Sequence, residues 1–263
     1  MSRCAGSVLN VAHVTDEAIC IRHWDFSETS QTVSLFCRGH GLLRGLAKGA
    51  KRVGGRFSGG IDLLTRGQVV AIVKPGRELS TLTDWTLLST YRSLRIALGA
   101  NQTAYYLIDL VQRLVADGDP HPRLYDSLVA ALEAIERGVD PTFAQLGFQW
   151  MILDEVGYRP SLGDESGAEL PATVQFSPDA GGVVSSGGWK VRRPTVELLR
   201  EVAANASGDA SAPSGRSTIE AICASAGRVT PDVLVRANRL LAAYLRHVLA
   251  GPTETMRALF PDL

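Results

Sequence analysis

The apolar period of this chain changes near Asp84, and that change restricts the fold more than any other feature. Upstream, apolar residues come in short, partly alternating runs: Ala18–His23, Gln31–Cys37, Leu42–Lys48, Ile61–Thr65, Gln68–Lys74 and Leu79–Thr83. Glycine turns or polar loops separate them, as β-strands require. Downstream, Trp85, Leu88, Tyr91, Leu94 and Leu98 recur every three or four positions, the spacing of one side of an α-helix. A chain with strands first and helices after them belongs to the mixed α+β class.

Six short strands with glycine turns suit a small antiparallel barrel better than an open sheet, and an OB-fold over residues 18–83 is the expectation. Residues 1–17 lack a period and read as an N-terminal extension. In the third run Arg44 and Lys48 share parity and would project from one face, although Leu46 shares it too and Gly45 marks a candidate bulge.

Residues 84–263 read as a helical domain. Asp84 is a candidate helix cap. A second helix runs from Asn101 to the break at Asp117–Pro122, a third carries Leu124, Leu128, Leu132 and Ile135, and Pro141 opens a fourth that ends at Val156. Between 157 and 194 glycine and proline interrupt every period, giving an irregular loop or small β insertion. Helix resumes over Pro194–Ala206 and, after the connector Ser207–Gly215, over Arg216–Ala226 and Pro231–Ala250. On the last helix Val233, Leu234, Ala237, Leu240, Leu241, Tyr244, Leu245 and Val248 fall on one side, and Arg236, Arg239, Arg246 and His247 on the other.

The formal net charge is zero, yet from Arg38 to Arg77 nine cations face the single carboxylate Asp62. Arg38, Arg44, Lys48, Lys51, Arg52 and Arg56 crowd the glycine-rich stretch from Cys37 to Ser58. Such a block attracts polyanions whatever the global charge. Guanidinium and ammonium groups neutralise phosphates and release counterions, and glycine lets the backbone approach closely. The competing explanation is a charged barrel edge kept soluble by cations. Phe57 and Phe36 are the stacking aromatics at hand, too few for sequence-specific reading of bases.

Templates for catalysis are missing. The five histidines form neither HExxH nor a pairing with carboxylates at ligand spacing, no GxSxG surrounds a serine, and Gly39, Gly41 and Gly45 have the wrong spacing for a dinucleotide fingerprint. Asp154 and Glu155 are assigned to a solvated helix face rather than to an acid/base pair. No catalytic residue, cofactor or metal site is expected. Cys4, Cys20, Cys37 and Cys223 form no CxxC pair and read as reduced structural thiols. With neither a leader-like segment nor a long apolar run, the expectation is a soluble cytoplasmic protein without a membrane span.

Several segments, in order, resemble the bacterial recombination mediator family RecO. In the N-terminal part these are Ser27-Glu28-Thr29-Ser30, Val33–Cys37, Gly39-His40-Gly41 and Ala47–Arg52, the last similar to the family's "AKGARR" with Lys51 for its first arginine. Ala104–Leu107 with Asp109-Leu110, then Leu124-Tyr125 with Leu128, resemble two of its helices. Leu153–Leu162, with Gly157-Tyr158-Arg159-Pro160, and Phe176-Ser177-Pro178 with Gly181–Val184 follow in the family's order. The likeness spans roughly residues 18–250. It implies an OB-fold joined to a helical domain, and a non-catalytic mediator of the RecFOR pathway in the bacterial cytoplasm, close to the nucleoid. Such a mediator binds single- and double-stranded DNA, engages RecR and the acidic tail of the single-stranded DNA-binding protein, anneals complementary strands and helps RecA load. Arg38, Arg44, Lys48, Lys51, Arg52 and Arg56 are then the candidate DNA contacts, and Arg236, Arg239 and Arg246 the candidate dock for the acidic tail.

Two departures stand out. Many relatives carry two CxxC pairs for zinc around the insertion, where this chain has Gly163–Gly167 and Ser185–Gly188; the insertion is therefore expected to fold without metal, on contacts such as Val174, Phe176 and Trp189. Relatives also end with a basic Leu-Lys-Ser-like element, replaced here by Gly251–Thr255. Two other classes remain open: an RNA-binding barrel in ribosome biogenesis, and a helical protein-interaction scaffold with an incidental basic barrel.

Overall fold

A computed structural model describes residues 12–52, 54–57, 59–74, 76–163, 170–206, 215–225 and 227–263. The expected connector 207–214 lies outside the described residues. Contacts divide the chain into two compact units, one ending at Thr90 and taking in Ala116–Pro120, the other holding Tyr91–Val115 and His121–Leu263.

The first unit is a closed barrel of β1 (Ala12–Asp25), β2 (Gln31–Cys37), β3 (Gly41–Ala47), β4 (Arg66–Val73) and β5 (Ser80–Ser89), in the order β1-β2-β3-β5-β4. All pairs are antiparallel except β3 with β5. This is the expected OB-fold, with several corrected boundaries. Residues 12–17 belong to a strand rather than to an extension, because β1 serves two neighbours: Ala12–Ile19 pair with β4 and Ala18–Asp25 with β2, around a bulge between Cys20 and Arg22.

Ile61–Thr65 is not a strand. It meets the bulge, Leu64 donating to the Cys20 carbonyl and Cys20 to that of Thr65, both at 2.9 Å, and buries Ile61 in the barrel.

The start of the helix expected from Asp84 is instead the end of β5, which runs to Ser89, and Arg92–Arg95 beyond it is a 3-10 turn. Thr83 is an extra residue opposite the Val70–Ala71 step, so Leu82 and Trp85, three apart, both point inward. The helical spacing of Trp85 and Leu88 therefore does not correspond to one buried face, since Leu88 is exposed on the strand. Trp85 lies against Gly67, where a Cβ would sit 2.5 Å from its ring. Gly45 is likewise no bulge, since β3 keeps unbroken register with β2; its missing side chain leaves room for Leu82, 2.6 Å from where a Cβ would be. Cys20 and Cys37 are free core thiols; burial pushes Cys20 up to about 12 and Cys37 further, leaving both un-ionised at neutral pH.

In the second unit α1 (Leu98–Leu114), α2 (Pro122–Glu136) and α3 (Pro141–Glu155) are followed by a small sheet, then α4 (Arg193–Ala206), α5 (Gly215–Ala224), α6 (Pro231–Val248) and α7 (Glu254–Leu259). Every residue of α3 from Phe143 to Leu153 is buried, which makes it the central helix. Asp140 caps it, accepting from the Thr142 amide at 2.9 Å, and Pro141 occupies its first turn. Gly147 admits the side chains of Ile219 and Ile222 from α5. Both of its buried amide NH2 groups donate, Gln145 to Asn238 Oδ1 at 3.0 Å and Gln149 to the Tyr106 hydroxyl at 2.9 Å, whereas Gln149 Oε1 accepts from none of the described residues.

The insertion is a three-stranded sheet, β7 (Gly182–Val184), β6 (Thr173–Ser177) and β8 (Trp189–Arg192) in that order. Phe176 is fully buried, stacked on Trp189 and edge-on to Tyr244 with centroids 6.0 and 5.6 Å away. Residues 164–169 lie outside the described part. Ser185–Gly188 offer hydroxyls and glycines where a zinc site needs thiolates or imidazoles, and none of the described free cysteines is in the insertion. This donor set does not fit zinc.

Candidate nucleic-acid interface

The basic stretch leaves β3 at Ala47 and turns at Lys48–Ala50, where Gly49 takes the left-handed conformation at φ 69°. Two apolar anchors, Ala50 and Phe57, are buried in the barrel and fix the loop between them. The tip of the β1–β2 hairpin holds its other side. Gly49 donates to Ser30 Oγ at 3.2 Å, Lys51 N donates to the Thr29 carbonyl at 3.1 Å, and Lys51 Nζ lies 2.6 Å from an Asp25 carboxylate oxygen. Two segments apart in sequence, Asp25–Ser30 and Lys48–Arg52, are thereby bonded into one corner.

The six candidate cations do not behave alike. Lys48, Arg52 and Arg56 are exposed and, among the described residues, form no ion pair. Arg44 points outward from β3, as its parity predicts, but lies 3.3 Å from Asp117. Lys51 is committed to Asp25. Arg38 is exposed at the turn after β2, its amide donating to the Glu17 carbonyl. Exposed ion pairs are weak, so a phosphate can still compete for Arg44 and Lys51.

The aromatic expectation is overturned: Phe57 belongs to the core and Phe36 is fully buried. Instead Trp24 and Phe26 are exposed on the hairpin, with the Arg22 guanidinium 4.8 Å from the centre of the Trp24 ring. Their place in a polar linker hid them; the available signal was an aromatic pair next to the Ser27–Ser30 motif.

In the second unit Arg236, Arg239 and Arg246 are half-buried rather than fully solvated. Arg236 pairs with Asp232, and Arg239 lies 3.8 Å from Asp262. Arg236 and Arg239 line a cavity of about 450 Å³ together with Lys190, Arg192, Trp189 and Leu240; Arg246 is not in its wall. Asp154 and Glu155 are not a free helix face either. They are mostly covered and gather Arg123, Arg159 and His121, with Arg123 Nη1 3.0 Å from Glu155. Among the described residues no cluster of three or more histidines, cysteines and carboxylates is placed to hold a metal, and no helix is long and apolar enough to cross a membrane.

Two family models match this chain, "Recombination protein O N terminal" over residues 11–91 and "Recombination protein O C terminal" over 97–257. The chain belongs to the RecO family. Three curated proteins named DNA repair protein RecO are similar to it. That of Geobacter metallireducens is 35% identical over 64% of this chain and 69% of its own length. That of Rhodopirellula baltica is 35% identical over 55% and 53%, and that of Roseiflexus sp. is 30% identical over 89% and 80%. Between the two matched regions lies the short 3-10 turn Arg92–Arg95, just after the barrel's last strand.

Proposed function

We propose that this chain is a non-catalytic DNA-repair protein whose barrel grips phosphate backbones through the loop from Lys48 to Arg56. The observation that carries the reading is the pairing of exposed cations Lys48, Arg52 and Arg56 with buried anchors Ala50 and Phe57 on the same loop. Anchoring removes much of the entropy that an unstructured basic segment would lose on binding. No sequence reading is expected from cations that meet only phosphates. The names of the relatives add DNA repair as the biological setting; we further propose, from the family resemblance alone, annealing of complementary strands, cooperation with RecR, and help for RecA on DNA coated by the single-stranded DNA-binding protein.

The test is binding to single-stranded and duplex DNA as a function of salt. Replacing Lys48, Arg52 and Arg56 together by alanine should reduce the log–log slope by about 0.9 per lost contact on duplex and about 0.7 on single strands. The affinity should fall on both. A folded variant with the slope and affinity of the parent would remove the assignment.

The acidic tail of the single-stranded DNA-binding protein is assigned to the cavity of Arg236 and Arg239, whose wall combines cations with Trp189 and Leu240. Binding of a labelled tail peptide should be lost on Arg239→Glu; undiminished binding would exclude this surface.

A further inference from the structure

The register of β1, β2 and β3 puts a second kind of ligand group beside the phosphate-binding loop. Val33 and Leu35 point into the barrel, so their neighbours Thr32 and Ser34 point outward. Thr32 pairs with Trp24 and Leu46, and Ser34 with Arg22 and Arg44. Cross-strand partners share a face, and Arg22, Trp24 and Arg44 therefore stand on one outer face of the barrel. All three are exposed. One strand residue further on, the hairpin presents Phe26, 63% exposed.

The backbone that carries Phe26 is hydrogen-bonded within the hairpin tip. Phe26 N donates to the Ser30 carbonyl at 2.9 Å and Ser27 N to the same oxygen at 3.2 Å, while Ser30 N returns to Ser27 Oγ. The Arg22 guanidinium covers one side of Trp24, which stays 43% exposed. Asp25, between the two aromatics, is neutralised by Lys51, and that ion pair ties the aromatic tip to the basic loop. Glu28 is the other carboxylate on this tip, in the turn beyond Phe26.

An exposed tryptophan and phenylalanine on a hydrogen-bonded corner, flanked by cations, match an unpaired base better than an apolar protein surface. Every base has a π-face, and stacking is indifferent to sequence. A duplex offers its phosphates but keeps its bases stacked and paired. We propose that Trp24 and Phe26 stack on unpaired bases and give the barrel a preference for single-stranded over duplex DNA. This inference rests on the reading of the barrel as a DNA-binding unit and adds to it a base-contacting surface that the cations cannot supply.

The experiment uses the full chain with three probes: an oligothymidylate, an abasic strand of equal length, and a hairpin duplex. The unmodified protein should bind oligothymidylate more tightly than the abasic strand and quench tryptophan fluorescence on doing so. Trp24→Ala should weaken oligothymidylate binding roughly tenfold, the scale of one base–aromatic stack. It should leave the abasic strand and the duplex within about twofold and keep the salt slope. Phe26→Ala should act in the same direction, and Trp24→Phe should retain most of the affinity. Equal loss on all three probes would assign Trp24 a structural role and overturn the inference, as would unchanged oligothymidylate binding. In both cases the lysine and arginine triple variant still reports on the cations, so the parent reading stands or falls separately. If the unmodified protein binds none of the probes, that reading fails and this one with it.

Discussion

Replacing Gly41 with alanine should destabilise the barrel by about 2–4 kcal/mol, adding the cost of a left-handed non-glycine residue to that of an overpacked contact. Gly41 opens β3 at φ 63°, and a Cβ there would lie 2.1 Å from the backbone oxygen of Asp119. The obstacle is main chain, so a rotamer change cannot relieve it. Asp119 belongs to the 116–120 segment, which is fastened to β3 by the Gly118 amide donating to the Leu42 carbonyl at 3.0 Å and by a bridge between Leu42 and Asp117. The natural comparison is Gly54→Ala, at φ 75° with nothing within 4 Å of its added Cβ. It carries the conformational cost alone, about 1–2 kcal/mol. Hydrogen exchange should show faster exchange at Gly118 and along β3 in the Gly41 variant and not in the Gly54 variant. Equal effects in the two would mean that the contact with Asp119 contributes nothing.

The second large effect is expected at Phe176. Truncation to alanine should cost about 3–5 kcal/mol, because a fully buried ring leaves a cavity that its neighbours fill only in part. Trp189 and Tyr244 would each lose an aromatic partner, so the damage joins the small sheet to α6. Urea unfolding followed by tryptophan fluorescence should show the lowered midpoint. Added zinc should change neither the parent nor the variant, since the insertion has no thiolate set to bind it. A Phe176→Ala protein as stable as its parent, or a parent stabilised by zinc, would contradict this account of the insertion.

Local and long-range requirements were not equally legible in the sequence. Gly39–Gly41 reads as a turn because backbone requirements are local, and the turn is there. That Gly41 must also leave space for the Asp119 carbonyl depends on a segment more than 70 residues away in the chain, which no local pattern announces. Trp85 shows the converse error. Its spacing to Leu88 and Tyr91 is helical on paper, yet Trp85–Ser89 is strand, with Leu88 exposed and Trp85 turned inward by the extra residue at Thr83. Bulges are set by cross-strand pairing, so a one-dimensional period cannot distinguish them from a helix.

The candidate site divides in the same way. The cations of Cys37–Ser58 could be counted directly, and so could α2, α3 and α6, each with a proline in its first turn, whereas the short α7 was not read. Which cations lack a carboxylate partner could not be counted, because Lys51 meets Asp25 and Arg44 meets Asp117 only through folding. Aromatic exposure was likewise undecided. Phe57 and Trp24 are both aromatics beside charged residues, and only closure of the barrel buries one and leaves the other in solvent.

The α+β class, the order of barrel and helices, and the concentration of positive charge between Arg38 and Arg56 are written in the chain itself. Each of these depends on composition or on contacts between near neighbours. The tertiary structure decided the rest. It joined the Asp25–Ser30 hairpin to the Lys48–Arg52 turn, buried Phe36 and Phe57, and left Trp24 and Phe26 beside the loop. The physical reason is that pairing register and closure of a barrel are long-range choices, fixed by which side chains fit inside together rather than by any segment alone.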